Sequence, residues 1–393
     1  MQNFVFHNPT KILFGRKTVP TVGPETVALG QKALLVYGQS SIKKNGLYDQ
    51  VLSSLTEAGV TVIEHGGTRS NPLLDHVRQG IAKVKQEKVD VIVAVGGGSV
   101  IDTAKAISAG SLVEHDVWKF FIGKKSIKAA LPVVTVLTLA AAGSEMNSGM
   151  VITNQDTQKK FGFGHRLLYP KVSILDPEIT FTVPPDYTAY GAVDAIAHVL
   201  EFYMTTEDTD TPVQARFIEG LILNAMESCE RCLADPHDYG GRANLMWTAT
   251  LALNGLTAAG LGRVGFPMHM IEHSLSALYD VPHGAGLSVV MPGWLQWYLE
   301  QDAARIARLG RGILPPAEQQ ELAGEGDTVI AEQTIAFLRS WFSKVHSPVT
   351  LAELNIPAED IPCIAENALG LAKVWRLNQY NQEVIEDILQ RCA

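Results

Sequence analysis

The sequence has few cysteines and no surplus of basic residues, and each shortage excludes a class of protein. Four cysteines among 393 residues are typical of a reducing compartment rather than of a disulfide-stabilised secreted domain. The net charge of -9 gives no electrostatic attraction to nucleic acid. The first residues lack a basic start with an apolar run, and polar residues or glycines interrupt every long apolar stretch. We therefore expect a cytoplasmic protein with neither nucleic-acid nor membrane partners.

Apolar runs alternate with helical patterns over the first half of the chain. Runs such as VIVAV are apolar on both faces, as in strands of a parallel sheet that helices cover. A helical pattern at Leu74–Glu87 lies between two such runs, which is the alternation of a doubly wound α/β fold. The pattern predicts strands at Lys32–Gly38, Val60–Gly66, Val89–Gly97, Pro132–Thr138 and Val172–Pro177.

Helical periodicity replaces the strand pattern from about Asp186 onward. We predict an α/β dinucleotide-binding domain at residues 1-185, with a doubly wound and mostly parallel sheet, and an all-helical metal-binding domain at residues 186-393. The 46% hydrophobic content supplies enough apolar side chains for two cores of that size. A functional site is expected in the cleft between two such domains.

Histidines and one aspartate recur at helical spacing in the second half. Asp194 and His198 lie four residues apart in VDAIAH, His269 and His273 repeat the spacing in MHMIEH, and His283 follows in VPHG. Residues four apart share one face of a helix, so their side chains lie one turn apart. Imidazole nitrogens and a carboxylate oxygen are ligands for Zn(II) or Fe(II). The spacing therefore predicts a metal site, although a single histidine is more often a satisfied core residue. The H-E-x-x-H motif of metalloproteases is missing.

A glycine-rich turn at residues 96–99 follows the predicted strand VDVIVAV and precedes a helical pattern. Glycines there let the backbone approach a diphosphate, and the N–H groups of a helix start favour its negative charge. The motif is not the G-x-G-x-x-G of standard dinucleotide-binding folds. In its strand–turn–helix context it predicts a nucleotide site, and the alternative is a tight turn without a ligand.

The turn after the strand at Lys32–Gly38 offers no carboxylate. An acidic residue at such a turn commonly binds the ribose 2′-hydroxyl of NAD, whereas hydroxyls and cations suit the 2′-phosphate of NADP. We predict NADP(H) in preference to NAD(H), with ordinary surface lysines as the alternative interpretation. The residues available are Gly38, Gln39, Ser40, Ser41, Lys43 and Lys44.

These motifs together resemble the iron-containing (group III) alcohol dehydrogenases, specifically the branch of NADP-dependent butanol dehydrogenases and aldehyde reductases. The resemblance spans the chain: an N-terminal hairpin at TKILFG, SNP at Ser70–Pro72, GGGSVIDTAKAI, TLAAAGSE, ILDP, VDAIAH and the M-H-x-x-x-H-x9-H helix. One motif departs from the family, because Ala140 and Ala142 stand in TLAAAGSE where proline and threonine are usual. We expect the missing threonine hydroxyl to weaken one hydrogen bond near the nucleotide, by about 1 kcal/mol.

The resemblance implies a site residue by residue. The metal ligands would be Asp194, His198, His269 and His283, and His273 would stand beside the metal without binding it. His273 is the expected catalytic residue, because a histidine one turn from a ligand suits proton relay between substrate oxygen and solvent. The implied cofactor contacts are Gly38, Gln39, Ser40, Asn71, Gly97, Gly98, Ser99, Asp102, Thr138 and Lys160.

The implied activity is hydride transfer between NADP(H) and uncharged, short to medium aliphatic alcohols or aldehydes. It would use one divalent metal per subunit, Fe(II) or Zn(II), in a homodimer. The apolar segments Leu245–Trp247 and Phe266–Met268, with Leu253, favour such substrates, unless they are simply core.

Two other functions remain open at this stage. Dehydroquinate synthases and glycerol dehydrogenases share the architecture and use a metal, but the first need a basic cluster for a phosphorylated substrate and the second use NAD. A non-catalytic nucleotide and metal sensor would not need His273 beside the ligand set. The substrate that consumes NADPH separates the enzymes, and binding without turnover would identify the sensor.

Overall fold

The computed structural model describes residues 1–207 and 210–393. Its strands are β1 Lys11–Phe14, β2 Lys32–Tyr37, β3 Thr61–Gly66, β4 Val91–Gly96, β5 Val133–Leu137, β6 Gly149–Asn154, β7 Lys159–Gly164 and β8 Val172–Leu175. Its helices are α1 Val22–Val27, α2 Ser41–Lys44, α3 Leu47–Glu57, α4 Leu74–Glu87, α5 Gly98–Gly110, α6 Trp118–Phe121, α7 Pro185–Thr205, α8 Pro212–Ala234, α9 Tyr239–Ala252, α10 Pro267–Tyr279, α11 His283–Ile313, α12 Pro316–Glu321, α13 Asp327–Lys344, α14 Ile361–Trp375 and α15 Gln382–Gln390.

Six of the strands form one parallel sheet in the order β1-β8-β5-β4-β2-β3. All six residues of β4 are buried, because its apolar side chains are covered on both faces of the sheet. The described residues after β8 form helices and loops. The predicted class, an α/β nucleotide-binding fold followed by a helical part, is confirmed, and the helix at Leu74–Glu87 has the predicted bounds.

The sheet changes its winding direction between β2 and β4. From β2 the chain continues to β3 on one side, whereas from β4 it continues to β5 on the other. Loops that leave two neighbouring parallel strands in opposite directions open a crevice at the carboxyl ends, where nucleotides bind in such folds. The turn at Gly38 follows β2 and the turn at Gly97 follows β4, so both predicted nucleotide turns flank this point.

The N-terminal hairpin predicted at TKILFG is wrong. β1 pairs with β8 in parallel, with Lys11 opposite Val172, so its partner lies far along the chain. A hairpin occurs instead at β6 and β7, which are antiparallel, with Gly149 opposite Gly164. The sequence analysis missed it because β7, KKFGFG, alternates glycine with phenylalanine, and glycine weakens a strand signal.

The contacts within the chain define two compact units. The helical unit contains Met1–Phe6, Pro185–Ala234 and Gly255–Ala393, and the α/β unit contains His7–Pro184 and Asp235–Asn254. Helix α9 therefore belongs to the unit that holds the sheet. Its Tyr239 ring lies under the Arg16 guanidinium at 3.6 Å, and its Trp247 ring meets that of Phe14 edge to face. This division rests on contacts within the chain, and the domain boundary at residues 185/186 remains a prediction from the sequence.

The M-H-x-x-x-H-x9-H segment was expected to form one helix, but it forms two, α10 and the start of α11. Pro267 occupies the first turn of α10, where a missing N–H costs nothing. Helix α10 ends at Tyr279, and the next residue, Asp280, is left-handed with a φ of 55°. His283 begins α11 just after Pro282. No helix in the described ranges is both long and apolar enough to cross a membrane.

Candidate active site

Helix α7 carries the first two predicted metal ligands on one face. Asp194 and His198 lie one turn apart and are buried, at 3% and 4% exposure. His198 Nδ1 lies 3.5 Å from Asp194 Oδ1. The surrounding residues of α7 are almost all buried, so the helix holds both polar side chains in an apolar environment.

The other two predicted ligands approach the same carboxylate oxygen from α10 and α11. His269 Nε2 and His283 Nε2 each lie 3.7 Å from Asp194 Oδ1. The left-handed residue at Asp280 reverses the chain after α10, and this turn allows His283 to return beside His269. Their ring centroids lie 5.2 Å apart. The structure thus brings together all four side chains that the sequence analysis selected.

Three atoms of this cluster are buried without a hydrogen-bond partner among the described residues. They are Asp194 Oδ1, His198 Nδ1 and His269 Nε2. A buried polar group left unsatisfied costs about 1–3 kcal/mol, so native proteins seldom leave several together. A cation bound by these atoms would remove that cost. One carboxylate with imidazoles is a donor set that fits a divalent transition metal.

The pKa values of the cluster follow from burial and from its carboxylates. Burial lowers the pKa of His198 to about 4. Burial alone would raise the pKa of Asp194, but His198, His283 and His269 outweigh it and hold that pKa below its ordinary value. Burial also opposes the charged form of His269, yet Glu201 and Asp194 raise its pKa to about 10. At neutral pH His198 is therefore in the neutral form that a metal requires, whereas His269 would release a proton on binding a metal.

The sequence analysis missed two buried glutamates that contact predicted ligand histidines. Glu201 of α7 hydrogen-bonds His269 Nδ1, and Glu272 of α10 hydrogen-bonds His283 Nδ1. Both glutamates are fully buried, and burial raises the pKa of Glu201. A signal for Glu201 was present, because Asp194, His198 and Glu201 follow one another at helical spacing on one face.

His273 lies beside the cluster, as expected, and is buried. Its ring centroid lies 5.5 Å from that of His283 and 5.5 Å from that of Trp375. Phe266 meets the His269 ring edge to face at 5.5 Å, so apolar rings border the histidines. Leu245–Trp247 and Leu253, also considered for a substrate pocket, belong to the α/β unit rather than to the helical unit that contains the predicted ligands.

The glycine-rich turn in the α/β unit caps the start of α5. A Cβ on Gly98 would lie 2.9 Å from Ala142 Cβ, and one on Gly97 would lie 3.1 Å from Leu139 Cβ. The two glycines therefore make room for the segment that follows β5. Ala142 is one of the two departures from the family motif, and it occupies this narrow space. The first N–H groups of α5 are of the kind that binds a diphosphate.

Other predicted cofactor residues lie at the carboxyl ends of neighbouring strands. Thr138 follows β5, and its N–H donates to Gly96 O at 3.1 Å. Gly38 follows β2, and its carbonyl accepts from Gly67 N at 2.9 Å. Gln39 and Ser40 are exposed at this turn. The structure thus places all four at the sheet edge where nucleotides bind in doubly wound folds.

Lys160 of β7 and Asn71 are brought together although they are distant in sequence. Lys160 Nζ donates to Asn71 Oδ1 at 3.1 Å, and both residues are buried. The hydroxyl of Ser99 on α5 donates to the carbonyl of Ser70. The neighbouring residues Ser70 and Asn71 therefore connect two predicted cofactor residues, Ser99 and Lys160.

Asp102 is buried and accepts hydrogen bonds from the segment that follows β5, so it is not exposed at the glycine-rich turn. Its carboxylate accepts from Ser144 Oγ at 2.6 Å and from Val151 N at 2.9 Å. The fully buried Lys105, which the sequence analysis missed, donates to Ser144 Oγ at 2.9 Å and to the carbonyls of Asn147 and Gly149. Burial raises the pKa of Asp102 and lowers that of Lys105 to about 8. The pair fixes the loop between β5 and β6 on α5.

Comparison with known proteins gives matches along nearly the whole chain. Residues 9–177 match the family model described as iron-containing alcohol dehydrogenase, and residues 188–393 match that of the Fe-containing alcohol dehydrogenase family, C-terminal. The probable NADH-dependent butanol dehydrogenase 1 of Bacillus subtilis (strain 168) is 42% identical, over 99% of each chain. The NADPH-dependent aldehyde reductase YqhD of Escherichia coli (strain K12) is 36% identical, over 93% of this chain and 92% of that one.

A solved structure gives the same result for the fold. The NADH-dependent butanol dehydrogenase A of Thermotoga maritima superposes with a TM-score of 0.94 at 44% identity, covering 100% of this chain and 99% of that one. The parallel sheet and the helical unit with its buried aspartate and histidines agree with the metal-associated dehydrogenase class that these matches indicate. The chain belongs to the iron-containing alcohol dehydrogenase family and is an oxidoreductase of the alcohol dehydrogenase class. Membership implies a divalent metal and a nicotinamide cofactor.

Proposed function

We propose that the protein is an NADP(H)-dependent alcohol dehydrogenase and aldehyde reductase for uncharged, short to medium aliphatic substrates. The observation that carries the metal-dependent chemistry is the group of buried, unsatisfied atoms on Asp194, His198 and His269. The family supplies the reaction class, and relatives are named as butanol dehydrogenases and as an aldehyde reductase. Phe266 and Trp375 place apolar rings beside the histidines, which suits an aliphatic substrate.

We assign the metal to Asp194, His198, His269 and His283, as Fe(II) with Zn(II) as the alternative. A divalent metal bound there supplies Lewis-acid polarisation of the alcohol or carbonyl oxygen. Asp194 contributes the negative charge, and three helices hold the donors in fixed positions. The His283 side chain is 25% exposed whereas that of Asp194 is 4% exposed. We infer that the His283 side of the cluster is the side open to substrate.

We assign proton movement to His273. Its imidazole is buried between His283 and Trp375, one helical turn from His269. Histidine exchanges a proton readily near neutral pH, so His273 would pass a proton between the substrate oxygen and solvent. The apolar rings of Phe266 and Trp375 limit the water around that transfer.

We assign the cofactor to the switch point of the α/β unit. The nicotinamide cofactor supplies the hydride acceptor or donor. Gly97, Gly98 and Ser99 would bind the diphosphate with the N–H groups of α5, and Asp102 would support that turn through Ser144. Thr138, Asn71 and Lys160 would contact other parts of the cofactor.

We assign the 2′-phosphate of NADP to the turn at Gly38, Gln39 and Ser40. The turn lacks a carboxylate and exposes a hydroxyl, which supports NADP over NAD. Names among the relatives include both NADH and NADPH, so this preference rests on the turn alone. The homodimer and the cytoplasmic location stay predictions, and sedimentation velocity tests the first.

The experiment that tests the proposal is oxidation of NADPH and of NADH with butanal. It is run before and after chelation, and after anaerobic return of Fe(II) or Zn(II), with metal content measured in parallel. We expect NADPH consumption that chelation abolishes and one of the two metals restores. No consumption with either cofactor in metal-loaded protein would contradict the dehydrogenase. Faster consumption of NADH than of NADPH would contradict the cofactor preference only.

A further inference from the structure

Two glutamates lie in the interior of the helical unit, where an ionised carboxylate is energetically unfavourable. Glu201 and Glu272 are both fully buried. An isolated buried carboxylate costs several kcal/mol unless hydrogen bonds or opposite charges compensate it. Each of these glutamates hydrogen-bonds the Nδ1 atom of a different histidine, His269 for Glu201 and His283 for Glu272. Each buried carboxylate is therefore paired with one particular histidine.

Glu201 is held by the start of α10 and in turn holds the ring of His269. Its Oε1 accepts from the backbone N–H groups of Met268 and His269, which have no partner within the helix. Its Oε2 lies at His269 Nδ1. Since a carboxylate only accepts, Nδ1 keeps its proton, and Nε2 is left as the nitrogen that can give its lone pair to a metal. Nε2 is the atom that lies 3.7 Å from Asp194 Oδ1.

Glu272 acts in the same way across the turn between α10 and α11. Its Oε2 lies at His283 Nδ1, and its Oε1 accepts from Ser276 Oγ. A Cβ on Gly286 would lie 2.7 Å from Glu272 Cγ, so glycine at this position makes room for the glutamate. His283 Nε2 is again the nitrogen that faces Asp194, at 3.7 Å.

We propose that Glu201 and Glu272 are positioning residues that fix the ring orientation and tautomer of His269 and His283 for metal binding. The inference rests on the metal site proposed above. His198 differs from His269 and His283, because its Nδ1 has no hydrogen-bond partner among the described residues. Partners of this kind typically change metal affinity by 10–100-fold.

The test compares Zn(II) affinity of wild type, Glu201→Gln and Glu272→Gln, measured on metal-free protein by competition with a chromophoric chelator. Glutamine keeps the size but presents an N–H donor or a weaker acceptor to Nδ1. We expect each variant to bind Zn(II) about 10–100-fold more weakly. Glu201→Asp keeps the carboxylate and should recover part of the affinity. The visible absorption of Co(II)-loaded protein should change in the two glutamine variants, because the ring orientation changes.

The matched control is Glu219→Gln. Glu219 is also buried in the helical unit, but its partners are Tyr203 and Arg216 rather than a ligand histidine. Thermal unfolding of the metal-free proteins shows whether each variant folds, and Glu272→Gln carries the test if Glu201→Gln does not fold. Unchanged Zn(II) affinity, or an equal loss in Glu219→Gln, would overturn the inference.

The outcomes also separate this inference from the proposed function. If wild type binds metal and reduces butanal while the glutamine variants bind equally tightly, only the positioning role fails. If wild type binds neither Zn(II) nor Fe(II), the metal site fails and the positioning role fails with it.

Discussion

The two candidate sites use different parts of the polypeptide. In the helical unit, side chains from α7, α10 and α11 converge on Asp194. In the α/β unit, backbone turns at Gly38 and Gly97 follow neighbouring strands, and the residues that support them lie in loops. A side-chain cluster depends on the identity of each residue, whereas a turn depends on local shape and on the absence of obstructing atoms. Substitutions in the side-chain cluster should therefore abolish function, whereas substitutions in the backbone turns should change the preference for one cofactor over another.

The largest expected effect sharpens this contrast at Asp194. Asp194→Asn removes the negative charge that three histidines face, so we expect the metal to be lost and turnover with butanal to fall at least about 10³-fold, equivalent to about 4 kcal/mol. Elemental analysis after gel filtration and steady-state rates measure the two effects. Asp186→Asn, an exposed position at the start of the same helix, should retain both. A metal-loaded, active Asp194→Asn protein would remove Asp194 from the ligand set.

Next in size is the loss of the buried cation in the α/β unit. Lys105→Met leaves Asp102 and Glu145 without their nearest positive charge, and breaking such a buried pair costs about 3–5 kcal/mol. We expect that loss in urea unfolding, together with a raised KM for NADPH because the loop after β5 loosens. Lys85→Met breaks an exposed pair with Glu114 and should cost less than about 1 kcal/mol. Equal losses of unfolding free energy in the two variants would show that the buried network stabilises the protein no more than the exposed pair does.

A smaller effect tests whether the Gly38 turn sets cofactor preference. Gly38→Asp is tolerated by the backbone, because φ is not positive there and the nearest atom to a new Cβ is Thr68 O at 3.8 Å. The carboxylate would repel a 2′-phosphate, so we expect KM for NADPH to rise about tenfold, or about 1.4 kcal/mol, with little change for NADH. Gly38→Asn supplies the same shape without the charge. Equal KM changes for both cofactors in Gly38→Asp would contradict the assignment.

A fourth effect, of a size similar to the third, concerns the stability of the α/β unit in acid rather than its cofactor preference. Burial, and then the charge of His76, lowers the pKa of His65 from 6.5 to about 4. The unfolded chain therefore takes up a proton before the folded chain does, and stability falls as pH drops from 6.5 toward 4. Wild type should lose on the order of 2 kcal/mol more than His65→Gln between pH 7 and pH 5. Parallel pH profiles of urea unfolding for the two proteins would contradict this.

The proximity of Asp194 and His198 was predictable because helices have a fixed period. Asp194 and His198 needed only a spacing of four to be placed together, and the structure agrees. The strands β2, β4, β5 and β8 were predictable for a similar reason, since strands buried on both faces are continuously apolar. The edge strand β3 was also predicted, although most of its residues are only partly buried or exposed. Lys160 with Asn71 was different: these residues lie far apart in sequence, and only the resemblance to a family named them.

The features that the sequence analysis missed depend on tertiary contacts that local sequence patterns do not encode. A glutamate in a helix is usually exposed, so the sequence did not distinguish Glu272 from a surface residue. Glu201 was overlooked for the same reason, although its spacing placed it on the face of Asp194 and His198. Lys105 was missed for the same reason, since its four hydrogen bonds are made by a loop about forty residues away. The parallel pairing of β1 with β8 likewise requires the whole sheet.

The membership of α9 in the α/β unit has a consequence for how the protein is made. Thr250 of α9 donates a hydrogen bond to the buried carboxylate of Glu145, and Gly143 lies against the α9 backbone. A fragment that stops near residue 185 would lack both contacts and would expose the carboxylate's side of the loop. During translation the sheet cannot complete its packing until residue 254 has left the ribosome, by which time α7 and α8 have already been synthesised. The nucleotide-binding half is therefore finished late, and it cannot be separated by a single cut.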